Sequence, residues 1–211
     1  MGGERFEYDT NNYLVVSVAM PFECETFANP ENALKIVENY PGKIKLLKKK
    51  GNIAKCLNLG FKYSETSYVS RLDSDDLNIK SRLKKQIKFL EKNKDYALIG
   101  STFNEINNNN IKYNNNKFRS LQLTYENIIL KFISDGEIDI VHPSVTIRKK
   151  FVKKVNYYSD LNFSEDYDLW IKIIFKKFKI ANLKEKGINL RKHDGQASII
   201  NEIKSIQSVK M

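Results

Sequence analysis

Three aspartates directly follow a predicted buried strand. Residues 67–72 form the strand, and Asp73, Asp75 and Asp76 come next with one serine between the first two. In an open parallel sheet, ligands bind at the carboxyl ends of strands. Carboxylates clustered there repel one another unless a cation joins them, and an oxygen-rich site of this kind suits Mg²⁺ or Mn²⁺ together with the phosphates of a nucleotide. A second interpretation stays open, in which Asp76 or Asn78 caps the next helix and the other acids face solvent.

A second acidic group opens a helix predicted over residues 165–177. Glu165, Asp166 and Asp168 fall in its first turn. The helix macrodipole favours carboxylates at that place in any protein. A carboxylate held at a helix start and facing the end of a sheet can also act as a general base. The spacing alone does not decide between these two roles.

The elements that must position these acids alternate between strand and helix in the first half of the chain. Hydrophobic periodicity predicts strands over residues 13–20, 43–47, 67–72 and 96–103 and helices over residues 29–40, 52–62 and 79–90. This order predicts the α/β class, with a mostly parallel sheet and helices on both of its faces.

The second half of the chain is predicted to be mixed. It contains helices near residues 124–134 and 165–177 and strands near residues 144–148, 179–183 and 188–191, after an asparagine-rich loop at 107–116. No linker rich in Pro, Gly or Ser separates the halves, so we expect one domain over residues 1–211 in which both halves share a sheet.

The charge and composition restrict the class of protein. The 211 residues include 36 Lys and Arg against 25 Asp and Glu, a net charge of +11, which would attract phosphates, nucleic acids or an anionic bilayer. Lys, Asn and Ile have A/T-rich codons, so an A/T-rich genome, as in a bacterium or large DNA virus, would supply much of this charge without a selected partner. Basic residues do not interleave with aromatic ones as in single-strand binding surfaces, so no nucleic acid is expected.

The expected location is cytoplasmic, with peripheral membrane contact through positively charged surface residues. No stretch approaches the roughly 18 apolar residues of a membrane span, and the N-terminus lacks the pattern of a signal peptide. Two cysteines are too few for a disulfide framework or a cysteine-rich zinc site.

Five segments in the same order resemble the family 2 glycosyltransferases of the GT-A fold. The segments are Asn52-Ile-Ala-Lys-Cys-Leu-Asn58-Leu-Gly60, Tyr68-Val-Ser-Arg71-Leu-Asp73-Ser-Asp75-Asp76, His142-Pro143-Ser144, Glu165-Asp-Tyr-Asp-Leu-Trp170 and Arg191-Lys-His193-Asp-Gly-Gln-Ala-Ser198. Each segment is a weak signal alone, but their order over one predicted fold is specific. The resemblance covers residues 43–198.

The resemblance implies a metal-dependent, inverting transfer of a sugar to an acceptor hydroxyl. The donor would be a nucleoside diphosphate sugar, a UDP-sugar first of all, and the acceptor a glycan, a lipid-linked molecule or a protein. The cofactor would be Mn²⁺ or Mg²⁺. Residues 1–104 would bind the nucleotide sugar, residues 119–198 would bind the acceptor and catalyse transfer, and residues 199–211 would form a tail.

The resemblance also implies roles for individual residues. Asp166 would be the catalytic base. The nucleotide side would comprise Asp73, Arg71, Asn52 and Glu23, and the metal ligands would be Asp75, Asp73 and His193. The acceptor side would comprise His142, Glu165 and Trp170.

The chain departs from the family pattern near its N-terminus. Family members carry a β-α unit with a D-D-G-S turn that grips the nucleotide base, and residues 24–40 pass almost directly to the helix that should follow that turn. Asn52 also stands where a glycine is usual, although Asn tolerates the left-handed conformation better than most residues. A second hypothesis is therefore a truncated relative that keeps the fold and serves as a binding module without turnover.

Overall fold

The computed structural model describes residues 13–18, 47, 49–113 and 121–192. The helix predicted at 29–40 and nearly all of the strand predicted at 43–47 lie outside the described residues. The site candidates Glu23 and His193 lie outside them as well.

Five α-helices surround the strands in the described part of the chain. They are α1 Ile53–Tyr63, α2 Arg82–Lys92, α3 Tyr125–Asp135, α4 Lys149–Lys154 and α5 Glu165–Phe175, with a one-turn 3₁₀ helix at His142–Ser144. The bounds of α1, α2, α3 and α5 agree with the sequence periodicity to within three residues. None of the helices in this part is long and apolar enough to cross a bilayer.

Among the described residues, six strands form one sheet in the order β1-β2-β5-β4-β6-β3. They are β1 Tyr13–Val18, β2 Tyr68–Asp73, β3 Leu77–Asn78, β4 Tyr96–Ile106, β5 Thr146–Arg148 and β6 Lys179–Arg191. Strand β4 comes from the first half of the chain and pairs along its length with β6 from the second, so the two halves share the sheet.

The sheet is mixed, and the prediction of a mostly parallel sheet needs this correction. Strands β1 and β2 are parallel, as are β4 and β6. Strand β5 is antiparallel to both of its neighbours, β2 and β4, and β3 is antiparallel to β6. The connection from β4 to β5 runs over residues 107–145 and includes α3, so its length permits either direction. The alternation of strands and helices therefore could not determine the direction of β5.

Strand β6 is continuous where the sequence predicted two short strands. Its pairing with β4 shifts register near Ser101 and Thr102, and β6 crosses the exposed Lys184–Lys186 stretch without ending. At Gly187 the two strands approach so closely that a Cβ atom would lie 2.0 Å from Ser101 Oγ. Gly187 lies between the two predicted strands, and its lack of a side chain permits this close approach within one continuous strand.

The core lies on both faces of the sheet, as predicted. Helices α1, α3, α4 and α5 pack on one face with Leu98, Ile147 and Ile180, and Trp170 is buried among them. Helix α2 covers the other face, where Leu90 packs with Ile99. The neighbouring residues Leu98 and Ile99 point to opposite faces, as strand geometry requires.

Candidate active site

The turn after β2 gathers the three predicted aspartates. The Asp76 N–H donates to the carbonyl of Asp73 at 3.2 Å, which closes the turn between β2 and β3. Asp73, Asp75 and Asp76 each offer one carboxylate oxygen, and these oxygens lie within 4.8 Å of one another. Helix α2 begins later, with Ser81 as its N-cap, so Asp76 and Asn78 do not cap it. The capping interpretation of this cluster is wrong.

Asp76 is the buried member of the cluster. It is 6% exposed, and its Oδ1 accepts a hydrogen bond of 2.8 Å from the Arg191 N–H. Burial raises the pKa of Asp76 to about 7, and Asp73 and Asp75 also raise it against the bond from Arg191. Asp76 Oδ2 has no hydrogen-bond partner among the described residues. A buried carboxylate oxygen without a donor is costly unless a proton or a cation reaches it.

Arg191 fastens this turn to the asparagine-rich loop. Its Nε donates to the carbonyl of Asp75, its Nη1 to the carbonyl of Asn107 and its Nη2 to Asn110 Oδ1, each at 2.7 Å. Asn110 has a φ of 61°, in the left-handed region that Asn tolerates. The predicted exposed loop is therefore attached to the acidic turn through one guanidinium.

Arg71 and Arg82 connect β2 with the 3₁₀ turn. Arg71 is buried and its Nη2 lies 2.8 Å from Asp73 Oδ1. Arg82 donates to the carbonyl of Arg71 at 2.7 Å and to that of Pro143 at 3.0 Å. Burial lowers the pKa of Arg82 to about 10, against the effect of Asp76. Arg82 stays charged at neutral pH, and it holds the end of β2 against the turn that carries His142.

The second acidic group begins helix α5. Ser164 precedes it with a φ of 57°, a left-handed conformation that costs a non-glycine residue about 1 kcal/mol or more. The Ser164 side chain makes no capping bond. Glu165 is buried, and the Asp166 side chain is 33% exposed. Asp168 lies apart from them, with its Oδ2 3.0 Å from Lys172 Nζ.

His142 meets both acids at the start of α5. Its Nδ1 lies 3.6 Å from Glu165 Oε1 and 3.8 Å from Asp166 Oδ2, and its Nε2 lies 2.8 Å from the Tyr158 hydroxyl oxygen. Trp170 contacts the imidazole edge-on, with ring centroids 5.5 Å apart. Burial, with a smaller effect of Arg71, lowers the pKa of His142 well below its usual value. The imidazole is therefore neutral at physiological pH.

The two acidic groups face each other across the end of the sheet. Burial raises the pKa of Asp73; Arg71 lowers it, and the charges of Asp75 and Asp166 raise it further. Burial likewise raises the pKa of Glu165, with further upward effects from Asp166 and Asp73. The contacts agree with this, because Arg71, which binds Asp73, lines one cavity with Tyr158, which contacts His142 beside the second acidic group. The acids of residues 73–76 and 165–166 therefore belong to one site.

Most of the site residues predicted from the sequence lie in this region. Arg71, Asp73, Asp75, His142, Glu165, Asp166 and Trp170 are brought together. Trp170 is 1% exposed, so any part it plays at the acceptor side passes through His142. Glu23 and His193 lie outside the described residues.

Asn52 has contacts of another kind. Its side chain caps α1 by accepting from the Lys55 N–H at 3.1 Å, and it donates to Asp160 Oδ1 at 2.8 Å. These bonds attach the start of α1 to the loop before α5. No hydrogen bond from Asn52 to the β2 aspartates is present among the described residues.

Sequence reasoning missed two residues of the site. Tyr158 bonds to His142, and Asn58 holds Tyr158 by bonding to both its backbone N–H, at 3.0 Å, and its carbonyl, at 2.9 Å. Tyr158 lies in a loop without periodicity, so the sequence carried no signal for it. Asn58 belongs to the first of the five segments that resemble the family, and a polar asparagine within a predicted helix was the signal that could have identified it.

Comparison with known proteins gives the family. The sequence model of "Glycosyl transferase family 2" matches residues 28–156. The chain belongs to this family. It is 31% identical over 166 residues to "Uncharacterized glycosyltransferase MJ1057" of Methanocaldococcus jannaschii, covering 74% of this chain and 55% of that protein. It is 30% identical over 152 residues to "O-antigen biosynthesis glycosyltransferase WbnJ" of Escherichia coli, covering 68% and 55%.

A further relative and a solved structure extend the comparison. The E. coli "UDP-Gal:alpha-D-GlcNAc-diphosphoundecaprenol beta-1,3-galactosyltransferase" is 28% identical over 145 residues, covering 69% of this chain and 51% of that protein. The crystal structure of S. aureus TarS 1-349 in complex with UDP-GlcNAc superimposes with a TM-score of 0.56 at 19% identity, covering 85% of this chain and 50% of that one. The GT-A fold is confirmed, and the chain spans about half the length of these proteins.

Proposed function

We propose that the chain transfers a sugar from a nucleoside diphosphate sugar to an acceptor hydroxyl, with inversion at the anomeric carbon. The observation that carries this proposal is the meeting of two acidic groups, at the end of β2 and the start of α5, which are joined through the cavity that Arg71 and Tyr158 line. One group can hold the diphosphate side of a donor while the other receives the proton of an acceptor. An acceptor attacking from the face opposite the diphosphate gives inversion.

A divalent cation fits the turn after β2. Asp75 and Asp73 would hold Mn²⁺ or Mg²⁺, because three carboxylate oxygens within 4.8 Å form a hard, oxygen-only donor set. The unpartnered, buried Asp76 Oδ2 supports a cation at this place. When bound, such an ion supplies charge that neutralises the leaving diphosphate. His193 stays a predicted additional ligand.

Asp166 is the proposed base. Its side chain is 33% exposed and can reach an acceptor hydroxyl, while Glu165 beside it is buried. The N-terminus of α5 stabilises its negative charge through the helix dipole. Asp168 is bound to Lys172 and cannot take over this role from its own position. Arg71 orients Asp73 and keeps a positive charge next to the donor side.

The comparisons support the choice of donor and acceptor class. TarS was crystallised with UDP-GlcNAc, and the name of the E. coli galactosyltransferase states a UDP-Gal donor and a lipid-linked diphosphate acceptor. We therefore propose a UDP-sugar as donor. The acceptor would be a lipid-linked molecule first, with a glycan or a protein as alternatives.

Peripheral membrane contact would use a surface that we name the basic surface. Helices α4 and α5 pack against each other, and Phe175 at the end of α5 is 75% exposed. The exposed lysines on α4 and at the end of α5 make up this surface together with Phe175: Lys150, Lys153, Lys154, Lys176 and Lys177. Lys154 lies over the rings of both Phe151 and Phe178. Positive charge beside an exposed aromatic ring suits an anionic bilayer surface.

The test is calorimetric titration of the protein with UDP, UDP-GlcNAc and UDP-Gal, with Mn²⁺ and with excess EDTA, followed by a transfer assay on polyprenyl diphosphate-linked GlcNAc. Metal-dependent binding and release of UDP support the enzyme. Binding without transfer to any acceptor class supports the truncated binding module. An absence of binding at millimolar ligand rejects the nucleotide-sugar proposal.

A further inference from the structure

The buried pair His142 and Tyr158 lies directly behind the proposed base. The imidazole is 6% exposed, with one nitrogen 2.8 Å from the Tyr158 oxygen and the other facing the Glu165 and Asp166 carboxylates at 3.6 and 3.8 Å. Neither member of the pair is able to contact a bulky substrate directly. Any effect of the pair on transfer must therefore pass through the carboxylates of Glu165 and Asp166, which His142 faces.

The surroundings select one tautomer of His142. The imidazole is neutral, so only one of its nitrogens carries a proton. Ionised carboxylates accept hydrogen bonds, so a lone pair on Nδ1 would be repelled by both acids, whereas an Nδ1–H is attracted by them. Nε2 must then accept, and burial, which raises the pKa of Tyr158 well above its usual value, keeps the Tyr158 hydroxyl protonated as its donor.

Both rings are held firmly in place. The backbone of Tyr158 is bound on both sides by the Asn58 side chain, and its ring contacts Phe61 with centroids 6.1 Å apart. Trp170 packs edge-on against the imidazole. The pair therefore presents the Nδ1–H from a fixed position. Hydrogen bonds of catalytic groups are often long without substrate and tighten in the complex.

We propose that Tyr158 and His142 form a positioning pair, in which the tyrosine hydroxyl fixes the Nδ1–H tautomer and this N–H orients the carboxylates of Glu165 and Asp166 for transfer. This inference rests on the proposed function, in which Asp166 is the base. His142 moves no proton in this role. It determines where the carboxylate that takes the proton lies.

The first experiment observes the tautomer by ¹⁵N NMR of the full chain. The sequence has two histidines, so His193→Asn assigns the remaining imidazole to His142. We expect a protonated Nδ1 and a hydrogen-bonded, unprotonated Nε2, and a shift of the Nε2 signal in Tyr158→Phe. A protonated Nε2 in the wild-type protein overturns the proposal. This measurement requires no transfer activity.

The second experiment separates positioning from folding by kinetics. Tyr158→Phe removes one hydroxyl from a buried ring, and we expect kcat to fall about tenfold with the donor KM unchanged within twofold. Tyr157→Phe is the matched control, because that neighbouring ring packs on the same Phe61 and has no bond to His142. We expect it to keep wild-type kcat.

Substitutions of His142 test which ring nitrogen donates to the carboxylates. An asparagine amide reaches the place of Nδ1, whereas a glutamine amide reaches that of Nε2, so His142→Asn should retain at least fivefold more kcat than His142→Gln. Equal kcat values for the two, or equal values for Tyr158→Phe and Tyr157→Phe in an active enzyme, reject the positioning pair. If the wild-type protein transfers no sugar while the Nδ1–H tautomer is found, the proposed function fails and the geometry of the pair stands.

Discussion

Arg191→Ala should release the acidic turn after β2 from the asparagine-rich loop. The substitution removes the side-chain bonds to the Asp75 carbonyl, the Asn107 carbonyl and Asn110 Oδ1, and it keeps the backbone bond to Asp76. Three hydrogen bonds at about 0.5–1.5 kcal/mol each give about 1.5–4.5 kcal/mol. Because Arg191 is only partly buried and the bond to Asn110 is exposed, we expect about 2 kcal/mol of lost unfolding free energy.

Urea denaturation followed by tryptophan fluorescence measures this loss, since the chain has one tryptophan and it is buried. For a chain of this length a loss of 2 kcal/mol corresponds to a fall in Tm of about 4–8 °C. Lys192→Ala is the control, because its exposed ion pair with Glu105, at 3.6 Å, is worth about 0–1 kcal/mol. If Arg191→Ala unfolds at the same urea concentration as Lys192→Ala, the reasoning about this attachment is refuted.

Other substitutions test the site and the basic surface. Asp75→Ala should abolish Mn²⁺-dependent transfer without loss of melting cooperativity; a broadened transition in thermal denaturation would indicate a structural role instead. Asp166→Asn should lower kcat by about 10²-fold or more with little change in UDP affinity, while Asp168→Asn stays active in the same assay; the reverse order would move the base to another carboxylate. The pKa of Asp76 is raised in the folded protein to about 7, so the folded state binds the extra proton and stability falls as pH rises from about 4 through 7. Asp76→Asn should remove this decrease of the unfolding free energy with pH, measured by urea denaturation in the presence of EDTA. An unchanged pH dependence would show that Asp76 is not the buried group that takes up the proton. Replacing the five lysines of the basic surface with glutamine should abolish sedimentation with vesicles of anionic lipid at low salt; equal binding by the variant would place membrane contact elsewhere.

The local pattern of the sequence predicted those parts of the fold that depend on neighbouring residues. Periodicity predicted helix α1 with Ile53, Cys56 and Leu57 facing inward. In the structure Leu57 is buried together with Ala54 and Phe61, whereas Ile53 and Cys56 are half-buried, so the helix was predicted and its inner face only roughly. The acids after β2 were found because a buried strand followed by carboxylates suits a ligand site at the edge of a sheet.

Features that join distant parts of the chain were not predictable in this way. Strand β5 is only three residues long, and its direction depends on which strands are free to pair with it. The bonds of Arg191 reach residues more than 80 positions away, and those of Asn58 to Tyr158 span 100 positions. Such long-range contacts produce no periodic pattern in the sequence, so only the folded structure identifies Tyr158 as a neighbour of the site.

The place of β5 at the centre of the sheet constrains the order in which the protein can fold. Until residues 146–148 have left the ribosome, β2 and β4 each lack the neighbour that separates them, and each has an open edge of unpaired backbone groups. Open edges of apolar strands promote association between chains. We therefore expect fragments that end before residue 146 to aggregate, and the sheet to close only after β5 has been made, through a contact of high sequence separation that slows folding.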